Sequence, residues 1–341
     1  MEPLIMIPII ASFLLVLFSM NFWIRKEHQI GLVGEDLHKK DNRKVASSGG
    51  IIIVLGFLFG VLIYIAIETF YFNSSENLIS ILAMLVSILI ISITGLIDDL
   101  FSWKKRIANE IKDGGGLSAR LRVLLVLLAA VPLMVINAGT STIMGINLGL
   151  LYPLILVPIG IIGASTAFNI LAGYNGLESS QGIIILSALS IVTFFTGARW
   201  LSLISLIMIG CLLAFYFFNK TPAKIFPGDV MTYSVGALIA IIAILGNIEK
   251  IAVFFFIPYI IEAILKIRGG LKKQSFAKLN DEGGLEVPYE KFYGLEHVAI
   301  YIASKIRGNK KVREIDVVLL INEFQILIIL IGFFIFREGI F

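Results

Sequence analysis

A chain of 341 residues that is 58% hydrophobic and only 15% charged, with a mean hydropathy of +0.94, is too apolar for a soluble globular domain, which runs at about 45–50% apolar and about 25% charged. The single cysteine, Cys211, excludes an intramolecular disulfide and a thiolate metal centre, and His28, His38 and His297 are too scattered for a zinc cluster. The net charge of +4 is modest, no nucleic-acid partner is expected, and the composition is that of an all-α, polytopic protein in a lipid bilayer.

Apolar runs long enough to span, or nearly so, fall at about 4–24, 49–71, 78–97, 121–137, 150–170, 182–197, 201–218, 230–246, 251–267 and 317–336. Roughly 17–25 residues cross a bilayer, so ten helices are expected. The first has no basic residue before it and Arg25-Lys26 after it, the reverse of a secretory signal, and so reads as a retained helix. With ten spans, the segments 25–48, 98–122, 219–229 and 266–316 share one side and carry 25 of the 28 lysines and arginines. The positive-inside rule then makes those segments cytoplasmic and both termini external. The whole of 1–341 reads as one transmembrane domain. Its sole sizeable soluble piece, 266–316, is too small to be a domain of its own.

The unusual polar residues gather on the expected cytoplasmic side. Gly95-Leu-Ile-Asp98-Asp99 places two adjacent carboxylates where the third helix emerges, and Trp103-Lys-Lys-Arg106 follows. Gly114-Gly-Gly-Leu-Ser-Ala-Arg120-Leu-Arg122 starts the fourth helix. Arginines at a helix start oppose its dipole unless an anion meets them there, although topology anchoring explains basic residues at that boundary equally well. After the fifth helix comes Asn169-Ile-Leu-Ala-Gly173-Tyr-Asn175-Gly176-Leu-Glu178, with Gln181 close behind. Its glycines permit positive φ and close approach of backbone to a ligand, and its amides suit a polar one. The same residue types also make an ordinary C-cap and turn.

Between the seventh and eighth helices, Phe226-Pro-Gly-Asp229 offers a ring for a base to stack on and a third carboxylate. Asp98, Asp99 and Asp229, with the Asn169 amide, form a hard-oxygen set suited to Mg²⁺ or Mn²⁺ and not to zinc. Lys272, Lys273 and Lys278 follow the ninth helix, where they suit either a phosphate or a solvated basic face.

These motifs resemble those of the polyprenyl-phosphate N-acetylhexosamine-1-phosphate transferases, integral membrane enzymes, nearly end to end. Gly-Leu-Ile-Asp98-Asp99 looks like the family's aspartate pair, Gly-Leu-Ser-Ala-Arg120-Leu-Arg122 like its basic segment, and Phe226-Pro-Gly-Asp229 like its third aspartate motif. Asn169-Ile-Leu-Ala-Gly173-x-Asn175-Gly-Leu-Glu178 has the form of the dolichyl-phosphate branch, as does Leu279-Asn-x4-Gly284-Leu-Glu-x2-Tyr289-x-Lys291-Phe292 in the sugar-contacting loop. The family usually has lysine at Arg122, and its arginine and histidine of the sugar loop appear here as Lys272–Gln274. A dolichyl-type pattern without further eukaryotic detail suits an archaeal chain.

The resemblance implies transfer of an N-acetylhexosamine 1-phosphate, GlcNAc first, from the UDP-sugar to polyprenyl or dolichyl phosphate, releasing UMP, as the first membrane step of lipid-linked glycan synthesis. It implies a cell-membrane location with a cytoplasmic site. It assigns catalysis to Asp98, Asp99 and Arg122, with Asp98 or Asp99 as base or orienter of the lipid phosphate. Mg²⁺, or Mn²⁺, falls to Asn169 and Asp229, and substrate to Asp36, Arg120, Asn169, Gly173, Asn175, Glu178, Phe226 and Lys273. Oligomeric state is left open, a homodimer being one option. The same chemistry with another UDP-sugar stays open too, as does an ion-coupled transporter, since membrane carboxylates and broken helices also mark ion sites.

Overall fold

Backbone polar groups in lipid must find partners within their own segment, and the apolar runs accordingly fold as helices. The computed structural model describes residues 3–41, 43–107, 116–140, 142–143, 146–308 and 310–341. Its helices are α1 (Met6–Ile30), α2 (Gly50–Phe70), α3 (Leu78–Ile107), α4 (Ala119–Val135), α5 (Val157–Ile170, entered through a π-helical turn at Tyr152–Leu156), α6 (Leu177–Phe195), α7 (Arg199–Asn219), α8 (Gly228–Leu245), α9 (Glu249–Phe255), α10 (Ile257–Arg268), α11 (Leu295–Arg307), α12 (Glu314–Ile335) and α13 (Arg337–Ile340). Three antiparallel ribbons link them: β1 (Val33–Glu35) with β2 (Lys44–Ala46), β3 (Thr142–Ile143) with β4 (Ile146–Asn147), and β5 (Lys278–Leu279) with β6 (Leu285–Glu286).

The molecule is thus an all-α polytopic membrane protein, and eight of the described helices are long and apolar enough to cross. The other two expected spans are present as helices but fall short. The run at 121–137 gives the 17-residue α4, with Pro132 inside it. The run at 251–267 is broken at Phe256 into the seven residues of α9 and the twelve of α10, which has Pro at its first turn.

Two boundaries differ from the expected ones for a common reason. α3 continues ten residues past Ile97, and α6 begins at Leu177, five residues before its apolar run. The added stretches mix charged and polar residues in among the apolar ones, so hydropathy does not see them. Glu178, Ser179 and Gln181 are nevertheless buried, held by packing and hydrogen bonds in place of apolar transfer.

α8 is the axis of the bundle. Every residue from Val230 to Ile244 is buried, against α2, α3, α5 and α6. Without a hydrophobic drive between helices in lipid, such packing rests on small residues and interhelical hydrogen bonds. A Cβ on Gly236 would lie 2.6 Å from Ala164 O of α5, and one on Gly95 of α3 would lie 2.6 Å from Asp229 O. Ser92 and Ser234 share a hydrogen bond at 2.8 Å, and Gln181 donates to Asn322 Oδ1 at 2.9 Å. α1 keeps a lipid-type face outward, with Phe18 73% exposed.

Candidate active site

Three chain segments meet at the N-terminus of α8. Phe226 N donates to Ala46 O at 2.8 Å, Gly49 N to Phe226 O at 2.9 Å and Gly50 N to Pro227 O at 2.8 Å. Behind them the buried Glu27 accepts from Ser48 N at 3.1 and 3.2 Å, while Trp23 Nε1 donates to Ser48 O at 3.1 Å. Asp99 closes the junction, accepting from Ser48 Oγ at 3.1 Å and from Asp229 N at 2.9 Å. A carboxylate on the first free amides of a helix is where the helix dipole favours negative charge. Gly228, at φ +67°, leaves room for it, since a Cβ there would sit 2.5 Å from Asp99 Oδ2. Asp99 is therefore a clamp between α2, α3 and α8.

Asp98, one residue earlier and about 100° around the helix, faces a different partner. Its side chain is fully buried, and its Oδ2 lies 2.8 Å from Nε of Arg122. That approach is off the N–H axis, so the contact is an ion pair without a hydrogen bond at Nε. Leu117 N donates to Asp98 Oδ1 at 2.6 Å, and Tyr233 OH to Oδ2 at 3.4 Å. Ser118 caps α4, accepting from Leu121 N at 3.4 Å. Asp98 thus binds the entry of α4 and orients Arg122, whose side chain remains 32% exposed. Arg120 is exposed on another face of the same turn. Gly114 and Gly115 of the expected basic segment lie outside the described residues.

Asn169 ends α5 beside Asp229. The Thr232 hydroxyl joins them, lying 2.7 Å from Asn169 Oδ1 and 3.3 Å from Asp229 O. A carboxylate and an amide oxygen, both half-buried, are a hard donor pair that fits Mg²⁺ or Mn²⁺. Asp98 and Asp99, the other two carboxylates of the expected oxygen set, accept the hydrogen bonds described above, and both act electrostatically on Asp229. Among the described residues, three further metal-capable side chains converge at Asp36, His38 and Glu314, within 4.8 Å of one another. That group is itself closed by its neighbours. Glu314 pairs with Lys39 at 2.8 Å and with His38 at 3.4 Å, and Asp36 accepts from Asn175 Nδ2 at 2.9 Å.

This second cluster shapes the glycine-rich stretch. Gly173 (φ +103°) and Gly176 (φ +88°) turn the chain between α5 and α6. Asn175 donates from its backbone to Glu314 Oε1 at 2.7 Å and from its amide to Glu314 Oε2 at 3.2 Å. Thr221 Oγ1 reaches the same Oε2 at 3.2 Å. Gly173 N donates to Glu178 Oε1 at 2.9 Å, leaving the buried Oε2 without a hydrogen-bond partner among the described residues. His38 stacks on Tyr174 with ring centroids 4.4 Å apart, and Phe276 lies over Gly173. The Tyr174 hydroxyl donates to Ser275 O at 3.2 Å, and burial raises its pKa.

Behind Phe276 lies a further buried group: Glu262, Lys266, Glu296 and His297. Lys266 hydrogen-bonds Ser275 and lies 3.3 Å from Glu262 Oε1. Burial holds the Glu296 carboxyl well above the usual range, with Glu262 beside it raising it further. Burial, and then the Lys266 charge, push His297 down to about 4. Lys273 sits over the Tyr289 ring, Nζ 4.7 Å from its centroid, a cation–π contact.

Two linked clusters result. Asp98, Asp99, Arg122, Asn169 and Asp229 form one; Asp36, Gly173, Asn175 and Glu178 form the other, and Phe226 stands three residues before Asp229, bonded through its backbone to Ala46 and Gly49. Glu27, Ser48 and Glu314 were not expected from sequence. A lone carboxylate near the end of an apolar helix, the small run Ser47-Ser-Gly-Gly50 before α2, and an acid opening α12 were the signals available.

The family model for glycosyl transferase family 4 matches residues 81–247, from α3 to the end of α8. A Saccharolobus solfataricus protein, provisionally named UDP-N-acetylglucosamine–dolichyl-phosphate N-acetylglucosaminephosphotransferase, is 37% identical over 87% of this chain and 88% of its own. A Sulfolobus acidocaldarius protein of the same provisional name is 31% identical over 95% of this chain and 93% of its own. A phospho-N-acetylmuramoyl-pentapeptide-transferase of Streptococcus equi subsp. zooepidemicus is 30% identical over 74% and 76%. On these matches the chain belongs to glycosyl transferase family 4.

Proposed function

We propose that this membrane protein transfers GlcNAc 1-phosphate from UDP-GlcNAc to a polyprenyl phosphate of the dolichyl type, forming polyprenyl-diphospho-GlcNAc and UMP. The observation that carries the reading is the juxtaposition of the ion pair between buried Asp98 and part-exposed Arg122 with Asp229 and Asn169. Its support outside the site is the shared naming of the archaeal relatives. Ten crossings, counting α4 and the α9–α10 pair, with the site cytoplasmic and both termini external, agree with the placement of 25 of the 28 basic residues.

An oxygen of the lipid phosphate attacks the β-phosphorus of the UDP-sugar. The new P–O bond forms as the bond from that phosphorus to the bridging oxygen breaks, and UMP leaves with the bridging oxygen. A phosphate monoester loses its second proton at about pH 6, so the nucleophile is mostly dianionic at pH 7 and its activation requires little base. What the reaction does require is relief of repulsion, since two unit charges 4 Å apart repel by about 4 kcal/mol at an effective dielectric of 20. Arg122, aimed by Asp98, supplies positive charge for that purpose. Asp229 and Asn169 would hold Mg²⁺ or Mn²⁺, which when bound neutralises diphosphate charge and stabilises the leaving group. Phe226 offers a stacking face, while Gly173 and Asn175 offer close backbone and amide contacts to uridine. Asp36 and Glu314 fix the Asn175 amide, and Glu178 fixes Gly173. Lys273 lies on the loop 266–316, which we assign to the sugar.

Purified protein should release UMP from UDP-GlcNAc only when a polyprenyl phosphate is present, with the sugar phosphate recovered on the lipid. UMP release without lipid acceptor, or none with it, refutes the proposal. Comparison with UDP-GalNAc and UDP-MurNAc-pentapeptide reads out the sugar.

A further inference from the structure

A cavity of about 630 Å³ lies outside both clusters, lined by Asn21, Ile24, Arg25 and His28 of α1, Arg43 and Lys44 at β2, and Ala223 and Lys224 of the α7–α8 link. That volume falls within the ordinary range for small-ligand sites, about 300–1,000 Å³. Four cationic side chains and an imidazole converge on it. None of the five forms an ion pair among the described residues, although Glu35 lies directly across the ribbon from Lys44. Basic residues that merely set topology need only be on the correct side of the membrane. Nothing in that rule gathers them around one concavity.

The surface below the cavity changes character along two packed helices, α1 and α7. On α1, Leu14, Phe18, Asn21, Arg25 and His28 recur at three- and four-residue spacing, so they form one stripe. The stripe is exposed throughout, with Leu14 at 40% and Phe18 at 73%, and it passes from apolar to basic toward the cavity. α7 repeats the order with Leu213, Phe217 and Lys220, followed by Lys224. Lys220 Nζ lies 5.8 Å from the Phe217 ring centroid. An exposed surface that is apolar along two packed spans and cationic at a cavity by their ends matches an amphiphile with an anionic head.

We infer that this cavity and the α1–α7 surface leading to it are a binding site for an anionic phospholipid, its phosphate head held by Arg25, Arg43, Lys44 and Lys224 and its acyl chains lying on Phe18 and Phe217. The site is separate from the proposed transfer centre but touches the segment that supports it. Lys44 and Lys224 each flank the point where Ala46 pairs with Ile225 and accepts from Phe226 N.

The test is a titration of the full-length protein in neutral detergent, read by native mass spectrometry, with dioctanoyl phosphatidylglycerol, dioctanoyl phosphatidylcholine and inorganic phosphate as separate probes. Each basic residue near an anionic lipid contributes about a fivefold factor in affinity. The variant R25Q/R43Q/K224Q should therefore bind phosphatidylglycerol about 10²-fold more weakly, while melting like the wild type without lipid. Should that variant fail to fold, Arg25→Gln alone carries the test, at about fivefold. Phosphatidylcholine should bind weakly to either protein, and inorganic phosphate should displace phosphatidylglycerol poorly. Equal binding of both lipids, or unchanged phosphatidylglycerol binding by the folded variant, overturns the inference. Full displacement by millimolar phosphate does so as well, since the cavity would then hold a free anion and no lipid.

Discussion

Replacing Asp98 by Asn separates an orienting carboxylate from an inert helix residue. Asn keeps the volume and an acceptor oxygen for Leu117 N, so the fold around α4 should survive. What is lost is the charge 2.8 Å from Arg122 Nε. At an effective dielectric of 20 that pair is worth about 6 kcal/mol. Because the arginine is 32% exposed, solvent screening reduces the usable part, and about half, near 3 kcal/mol, is a reasonable share. Expressed in the transition state, this is about 10²-fold in turnover. UMP release with saturating lipid phosphate measures it, with UDP-GlcNAc binding and the melting temperature as controls. Arg122→Gln should cost about as much. The double variant Asp98→Asn/Arg122→Gln should be no worse than either alone, since both remove one interaction. The reasoning is refuted if Asp98→Asn keeps more than about a third of the wild-type rate, or if the two losses multiply. Asp99→Asn should differ in kind. Its two acceptor contacts join three helices, so the first effect should be a lower melting temperature, worth about 1.5–3 kcal/mol for hydrogen bonds to a charged group.

Chelation by EDTA should abolish turnover, Mg²⁺ or Mn²⁺ should restore it, and Asp229→Ala should not be rescued; full activity in EDTA would remove the metal from the reaction. Glu314→Gln loosens Asn175, Lys39 and His38 together, and should raise KM for UDP-GlcNAc about tenfold, a charged hydrogen bond's worth, with a smaller change in kcat; an unchanged KM would make this cluster a bystander. His297 gives a pH test in melting temperature. Its folded pKa of about 4 lies below the ordinary histidine value of 6.5, so the unfolded chain takes up the proton first and stability is lost as pH falls from 6.5 toward 4. Glu296, raised by burial, acts in the opposite sense, losing its contribution as pH rises above the ordinary glutamate range. His297→Gln should flatten the acid limb, and a limb of unchanged slope would show that another group sets it.

Sequence alone determined that this is a helical membrane protein and roughly where most of its long apolar helices lie, because transfer of apolar side chains into lipid is written residue by residue along the chain. The motifs around Asp98, Asn169 and Asp229 were legible for the same local reason, as polar residues at the ends of apolar runs. What only the tertiary structure decided is the division of labour within them. Asp98 and Asp99 are neighbours in sequence, yet the helical turn between them sends one to Arg122 and the other to the N-terminus of α8. Glu27, Ser48 and Glu314 matter only through partners far away in the chain: Glu314 meets Asn175 139 residues off, and Ser48 meets Asp99 across 51. Hydropathy also missed the true start of α6, since Glu178 and Gln181 are buried by hydrogen bonding within the bundle. Long-range pairing of buried polar groups is a property of packed helices, and no local pattern in the chain encodes it.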